Sequence, residues 1–347
     1  MQSYLPITTY IVVAVIKIAL ALFLLLTACA YVVLAERKLI ARMQNRWGPT
    51  RVGPFGFLQP LADGLKFILK EDIIPSHVYR PLYIAAPVLS LTLALTSIAV
   101  IPIGESVTIA GKQIPLQITD VNIALLIILG LTSVGVYGIA LAGWSSNSKY
   151  SLLGSLRASA QMISYELALG LSLIGVLIGA SSLSLREIVN SQAGGHWNLW
   201  YRGQFVAFFV YLMAAFAETN RVPFDLPEAE TELVAGYHTE YSAMKFAMFF
   251  VAEYANMFTV ASLATVLFLG GWDGPMFGLP ETSWLRALLP VIWFIVKVVF
   301  FIFLYIWIRG TLPRFRYDQL MAFGWKVLLP LALANILVTS LIVGLRA

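Results

Sequence analysis

An acidic segment near the middle of the chain carries the residue types best suited to moving protons. It runs from Phe216 to Tyr241 and reads FAETNRVPFDLPEAETELVAGYHTEY. Only 12% of the 347 residues are charged and 59% are hydrophobic, so acids are strongly concentrated here. The acids of the segment are Glu218, Asp225, Glu228, Glu230, Glu232 and Glu240. A solvated loop is one interpretation. A functional carboxylate cluster is the other, and we favour it because capping a helix N-terminus does not require so many acids.

Four ionisable residues lie within or directly beside long apolar runs: Glu166, Glu218, Glu253 and Lys297. Ionisable groups inside a membrane segment mark ion or proton pathways by default. A structural ion pair between Lys297 and one glutamate is the competing interpretation, but it leaves two carboxylates without a partner. Neighbouring buried carboxylates titrate as a coupled group and exchange protons. We therefore expect a proton or charge path that joins these residues to the acidic segment.

Composition places these residues in a membrane protein. The mean hydropathy is +0.82, and apolar runs long enough to cross a hydrocarbon layer of ~30 Å recur along the whole chain. We expect an all-α polytopic membrane protein that forms a single integral membrane domain over residues 1–347, and its fifth span is the shortest. The eight predicted spans lie near 8–35, 80–103, 119–144, 159–182, 203–222, 241–270, 284–308 and 322–345.

The content of potential ligands predicts no bound metal or prosthetic group. A single cysteine excludes a disulfide framework, and it excludes an iron–sulfur cluster built by this chain alone. The three histidines fall in connecting segments and supply no intramembrane pair for a haem. No nucleotide motif is present, so we expect no flavin, and any electron transfer would take place on another subunit.

The basic residues predict how the chain lies in the membrane. Sixteen of the 23 Lys and Arg residues fall in the odd-numbered loops, whereas five fall on the other side. By the positive-inside rule, the odd loops are cytoplasmic and both termini lie outside. We expect the lipid bilayer and other membrane proteins as partners, and no nucleic acid.

Two connecting segments have patterns of their own. Residues 57–71, FLQPLADGLKFILKE, place leucines and an isoleucine on one helical face and polar residues on the other. This pattern predicts an amphipathic helix on the cytoplasmic membrane surface. The segment VTIAGKQIPLQI alternates apolar and polar residues about Gly111 and Lys112, which predicts a short β-hairpin.

Four long motifs carry a family resemblance. They are ERKLIARMQNRWGPTRVGPFGFLQPLADGLKFILKE, WSSNSKYSLLGSLRASAQMISYE, AETNRVPFDLPEAETELVAGYHTEYS and IRGTLPRFRYDQLMAFGWK. Together they cover all four predicted cytoplasmic loops. The chain resembles the H subunits of bacterial respiratory complex I, a proton-pumping NADH:quinone oxidoreductase. These are the counterparts of mitochondrial NADH dehydrogenase subunit 1.

The resemblance implies a function within an assembly. Such a subunit docks the peripheral arm, forms much of a quinone-access tunnel and begins a carboxylate path towards the antiporter-like subunits. Quinone is then the substrate, and the chain carries no redox centre of its own. The implied partners are the peripheral quinone-site and iron–sulfur subunits and the small and antiporter-like membrane subunits. The implied location is the bacterial cytoplasmic, or inner, membrane.

The resemblance also assigns residues to two groups. Residues that match the quinone tunnel are Glu36, Arg37, Arg46, Asp63, Arg221, Asp225, Arg309 and Arg314. Residues that match the acidic channel are Glu166, Glu218, Glu228, Glu230, Glu232, Glu240 and Glu253. Lys297 joins the second group because of its place within a span rather than through a motif.

Three other classes of protein remain as alternatives. The membrane subunit of an energy-converting hydrogenase also translocates ions, but it serves no quinone. A free-standing cation/proton antiporter would explain the intramembrane acids but not the basic, turn-rich loops. A purely structural anchor for a peripheral arm would need none of the intramembrane glutamates.

Overall fold

The computed structural model describes residues 7–109, 112–200, 202–225, 234–276 and 284–346. Within these ranges the chain is built almost entirely of helices. They are α1 Ile7–Met43, α2 Gln59–Leu69, α3 Arg80–Ser97, α4 Ala124–Ser145, α5 Lys149–Ala180, α6 Leu185–Asn190, α7 Phe205–Glu218, α8 Ala243–Phe268, α9 Trp284–Thr311, α10 Tyr317–Phe323 and α11 Leu329–Arg346. A π-helical stretch, Gly324–Leu328, makes α10 and α11 continuous. The predicted hairpin is confirmed as antiparallel strands β1 Ser106–Ile109 and β2 Lys112–Pro115.

The prediction of a polytopic helical membrane protein is confirmed. Seven helices of the described chain are long and apolar enough to cross a membrane. The fifth predicted span corresponds to α7, which has only 14 residues and is roughly 21 Å long. Its two ends are bonded to longer helices that continue past them. Gln204, just before α7, bonds Thr339 near the end of α11, whereas Arg221, just after it, bonds Glu36 near the end of α1.

Two of the predicted spans are parts of longer helices. The uncharged stretch of α1 between Lys17 and Glu36 is roughly 27 Å long, close to the thickness of the hydrocarbon layer. Glu36 therefore lies where α1 leaves the hydrocarbon, and the helix continues to Met43. Helix α5 begins at Lys149 rather than at residue 159, so the polar stretch before the span is helical too.

The long connections meet at one end of the bundle, here called the basic end. It contains the end of α1 and the segments 44–79, 146–148, 219–225, 234–242 and 312–316. Hydrogen bonds join these segments: the Tyr79 N–H donates to Ser145 O at 2.9 Å, and the Phe315 N–H donates to Pro223 O at 3.2 Å. Residues that are far apart in the sequence therefore share one polar region.

Helix α2 lies at this end, beside α1 and α8. Its leucine face, which includes Leu61 and Leu65, is exposed on the outside of the chain. The opposite face brings Asp63 to Arg37 of α1, where the Oδ2–Nη1 distance is 2.8 Å. This arrangement agrees with an interfacial helix, because an outward apolar face suits contact with lipid.

Candidate functional site

The centre of the site is the carboxylate of Glu36, which is only 4% exposed. Arg221 Nη1 lies 3.2 Å from Oε1 and 3.3 Å from Oε2. The Tyr254 hydroxyl donates to Oε2 at 2.6 Å, and Arg309 also bonds Oε1. A buried carboxylate is stable only when cations and hydrogen bonds compensate for the loss of water. Two guanidinium groups and a phenol do so here.

Arg221 connects Glu36 to a second carboxylate. Its Nε lies 2.5 Å from Glu253 Oε1, so one guanidinium bridges a carboxylate of α1 and a carboxylate of α8. The same guanidinium lies 4.2 Å from the centre of the Tyr254 ring, within the range of a cation–π contact. The two carboxylates therefore share one cation.

Two of the arginines at the site leave their helices in the same way. Asn45 and Asn220 have positive φ angles of 53° and 49° at the ends of α1 and α7. The next residue in each case donates its N–H to the carbonyl five residues earlier, at 2.9 Å for Arg46 and 3.4 Å for Arg221. This is the Schellman helix ending, in which asparagine replaces the usual glycine. An Asn-Arg pair thus turns each arginine away from its helix axis.

A chamber of about 760 Å³ opens beside Glu36. It lies between the end of α1, the turn that follows α1, the first half of α8 and the end of α9. The charged residues that line it are Glu36, Arg37, Arg46, Arg309 and Arg314. Arginine thus outnumbers acid on its wall. Arg314 also bonds Asp225 at 2.9 Å, which ties the segment after α9 to the turn after α7.

A second cavity, of about 380 Å³, lies between α1, α2 and α8. Its wall is mostly apolar and includes Leu26, Phe67 and Val251. Arg37 and Tyr254 border both this cavity and the chamber, so the two spaces adjoin. A mostly apolar cavity therefore adjoins a polar chamber.

A small cavity joins the glutamates on the other side of Arg221. It has a volume of about 40 Å³, and both Glu218 and Glu253 line it together with Thr132 and Asn256. A water molecule needs roughly 10–15 Å³ of such space, so the cavity has room for water between the two carboxylates. Within the described residues, Glu218 Oε2 is buried without a hydrogen-bond partner.

Glu166 continues the line beyond Glu218. It lies on α5, where the Ser133 hydroxyl of α4 donates to its Oε1. Thr132, the neighbour of Ser133 on α4, lines the small cavity together with Glu218, so Glu166 lies beside the Glu218 side of that cavity. The structure therefore brings together Glu36, Glu253, Glu218 and Glu166, with Arg221 between the first two.

The remaining acids of the acidic segment are only partly described. Glu228, Glu230 and Glu232 lie outside the described residues. Glu240 lies at the basic end, with its Oε2 4.0 Å from His77 Nε2. A cavity of about 200 Å³ between His238 and Glu253 borders this region. Burial lowers the pKa of His238 to about 4, so its imidazole is neutral at pH 7 and brings no positive charge to this cavity.

Lys297 lies at the opposite end of the bundle from the chamber. Its Nζ donates to the carbonyl oxygens of Leu269 at 2.6 Å, Gly271 at 3.0 Å and Asp273 at 2.6 Å. These carbonyls follow the end of α8, where the helix dipole favours a cation. Within the described chain, carbonyl groups hold this ammonium rather than one of the intramembrane glutamates. The structure therefore does not place Lys297 with the carboxylate line.

We expect Lys297→Met to affect stability rather than chemistry. Hydrogen bonds to a charged group contribute about 1.5–3 kcal/mol each, and the variant loses them at the end of α8. The expected result is a lower thermal stability of the assembled protein, with unchanged turnover per assembled molecule. Thermal unfolding followed together with activity checks this, and a loss of turnover without a loss of stability would contradict it.

Sequence reasoning missed Tyr254, which contacts both Glu36 and Arg221. The available signal was its place directly after Glu253, within the motif FFVAEY. A phenol beside a buried acid is a natural hydrogen-bond donor. The sequence does not tell which acid accepts the hydrogen bond from Tyr254. The acceptor is Glu36 of α1 rather than the adjacent Glu253.

Fold and site together define a multi-pass membrane protein in which a polar chamber adjoins a line of buried carboxylates. The family model "NADH dehydrogenase" matches residues 16–340. The second of the NADH-quinone oxidoreductase H subunits of Koribacter versatilis is 66% identical over 353 residues, which cover 98% of this chain and 99% of its own. The first H subunit of Geobacter sulfurreducens is 54% identical, with 99% and 98% covered, and that of Solibacter usitatus is 50% identical, with 97% and 98% covered.

The chain belongs to this family, the membrane-embedded H subunits of NADH-quinone oxidoreductase, or complex I. The resemblance seen in the four motifs is thereby confirmed. The chain is a multi-pass protein of the inner membrane and part of an oxidoreductase. Relatives with these names favour the complex I class over the hydrogenase and antiporter alternatives.

Proposed function

We propose that this chain forms the quinone-access tunnel of its complex and couples quinone reduction to proton transfer through its glutamate chain. The observation that carries this proposal is the pair of adjoining cavities, one apolar and one basic, that meet at Arg37 and Tyr254. A quinone has a long apolar tail and a polar headgroup. It needs an apolar passage open to lipid and a few polar groups near the headgroup.

The apolar cavity suits the tail, and the chamber suits the headgroup. Helix α2 forms part of the apolar wall, and its leucine face is turned outwards, which suits contact with lipid. In this proposal the tail enters from the bilayer beside α2. Asp63 and Arg37 pair at the border between the two spaces. They are the polar groups that a headgroup passes first on its way to Glu36.

The coupling path starts at Glu36. Reduction of the quinone to the quinol takes up two electrons from the neighbouring subunits and two protons. If groups of this chain supply those protons, they become more negative by the same number of charges. Glu36 passes this change through Arg221 to Glu253, and water in the small cavity connects Glu253 with Glu218. Glu166 then continues the path beyond Glu218. Glu228, Glu230, Glu232 and Glu240 belong to the same proposed relay, whereas Lys297 does not.

The electrons come from neighbouring subunits. We propose that the basic end faces the cytoplasm and docks the peripheral arm, because the basic residues of the odd loops lie there. The quinone-site and iron–sulfur subunits of that arm would close the open side of the chamber. The antiporter-like subunits would receive the proton or charge signal beyond Glu166.

Arg46→Ala tests the chamber. Arg46 lines it, and its Nε bonds Gln44 Oε1 at 2.8 Å on the turn after α1. Removal of this cation should weaken the binding of the headgroup, so we expect the KM for quinone to rise about threefold to tenfold. Steady-state NADH-to-quinone kinetics of the purified complex measure the effect.

The matched control is Arg316→Ala. Arg316 is exposed at the same end and pairs with Asp318, but it does not line the chamber. Its variant should keep the parent KM. Equal values of the quinone KM in the parent and the Arg46 variant would remove Arg46 from the proposed tunnel.

A further inference from the structure

Gln161 of α5 has a completely buried side chain beside the end of α7. Its Nε2 lies 2.9 Å from Ala217 O, 2.9 Å from Phe224 O and 3.3 Å from Asn220 Oδ1. These three acceptors lie on both sides of Arg221 in the chain. One amide group therefore holds the whole turn that carries this arginine.

The chemistry of the amide matches these contacts. A glutamine side chain has two N–H donors, so the two carbonyls at 2.9 Å take them and the Asn220 oxygen shares one. The turn also has a hydrogen bond of its own, from the Phe224 N–H to Arg221 O at 2.8 Å. Gln161 adds the connection between this turn and the body of α5.

The position of the turn decides where the guanidinium of Arg221 lies. That group contacts Glu36 and Glu253 at the same time. Such a bridge is sensitive to small displacements, because hydrogen bonds weaken steeply when the distance or angle departs from the optimum. If the turn were released from α5, the Arg221 guanidinium would lose its contact with one or both carboxylates.

We propose that Gln161 is a positioning residue for the quinone-linked reaction. It fixes the turn of residues 217–224 and thereby holds Arg221 between Glu36 and Glu253. Within the described residues, Gln161 makes no hydrogen bond to either carboxylate and does not line the chamber, so we infer that it acts through the turn that carries Arg221. The inference rests on the proposed function, in which Arg221 transmits charge between the two acids.

Gln161→Met is the first test, in the intact complex. Methionine has nearly the same length and volume but no amide. We expect quinone-linked turnover to fall about tenfold, the effect of losing one or two hydrogen bonds that place a reactive group. NADH oxidation by ferricyanide, measured on the same sample, gives the amount of assembled complex, and this should stay near the parent level.

Gln192→Met is the matched control. Gln192 is another completely buried glutamine, and its Nε2 bonds Val266 O at 2.9 Å and Ile188 O at 3.2 Å. It lies at the end of the bundle opposite the chamber. Its variant should lower stability but keep the turnover per assembled complex. An equal loss of turnover in both variants would show a general packing effect and overturn the inference.

A double-mutant cycle with Arg221→Lys separates the inference from the proposed function. If Gln161 acts through Arg221, the double variant should be no slower than Arg221→Lys alone. If the losses of turnover in the two single variants multiply in the double variant, Gln161 does not act through Arg221. The proposed bridge of Arg221 between Glu36 and Glu253 is then unaffected. If Arg221→Lys alone keeps full turnover, the proposed function fails at this residue.

Asn220→Gly provides a second variant if Gln161→Met does not assemble. Glycine is the usual residue at this position of a Schellman ending, so the turn should still form. The variant removes the third contact of Gln161, together with the contact between Asn220 Nδ2 and Met162 Sδ, and we expect turnover to fall about twofold to threefold. Unchanged turnover in this variant would overturn the inference.

Discussion

Glu36→Gln is expected to reduce quinone-linked turnover at least about tenfold, since it removes the negative charge shared by Arg221 and Arg309. The two guanidiniums would then face each other across a neutral amide. The amide also presents N–H groups towards donors, so it cannot replace both carboxylate oxygens. We expect the chamber to lose its central acceptor, and Arg221 to lose one side of its bridge to Glu253.

The measurement compares two activities of the same preparation. NADH oxidation by ferricyanide requires the electron-input subunits and should remain. NADH-to-quinone turnover should fall. Glu71→Gln is the control, because it makes the same chemical change at an exposed site in the loop after α2. Parent-level quinone turnover in the Glu36 variant would exclude a central role for this carboxylate.

Glu218→Gln has the second large expected effect. Glutamine matches glutamate in shape but cannot take up or release a proton, so the path between Glu253 and Glu166 would be interrupted. We expect quinone-linked turnover and proton translocation to fall together, at least about tenfold, while ferricyanide activity stays intact. Proton uptake by membrane vesicles and quinone reduction, recorded in parallel, check this result.

Two further variants make the test specific. Glu218→Asp keeps a titratable carboxylate on a shorter side chain, so it should recover part of the activity. Glu105→Gln makes the same neutralisation at an exposed residue before β1, and it should change nothing. Undiminished quinone reduction and proton translocation in Glu218→Gln would remove this residue from the path.

Much of this architecture follows from the sequence, because hydrophobic length and helical periodicity are local properties. The seven long spans, the amphipathic α2 and the hairpin about Gly111 each depend on residues close together in the chain. The sequence also predicts that the fifth span, α7, is the shortest. The contacts at the two ends of α7 cannot be read from the sequence, because Gln204 and Arg221 bond residues that are far away in the chain.

Partners across the bundle cannot be predicted in the same way. Glu36 and Arg221 are 185 residues apart, and neither residue's local pattern names the other. The sequence does not single out Gln161, because an isolated glutamine within a helix has many possible roles. The sequence groups Lys297 with the acids because it lies within an apolar span, where ionisable residues mark ion or proton pathways by default. In the structure the ammonium of Lys297 contacts carbonyl groups at the end of α8 instead.

The central claim is that the adjoining cavities between α1, α2 and α8 carry the quinone. The most direct test is photolabelling of the intact complex in membranes, using a quinone with a photoreactive group on its isoprenoid tail, followed by peptide mapping. We predict labels within residues 26–37, 60–68 and 244–254, and suppression of these labels by excess unmodified quinone. Labels confined to α9 or α11, with none in these three segments, would contradict the account.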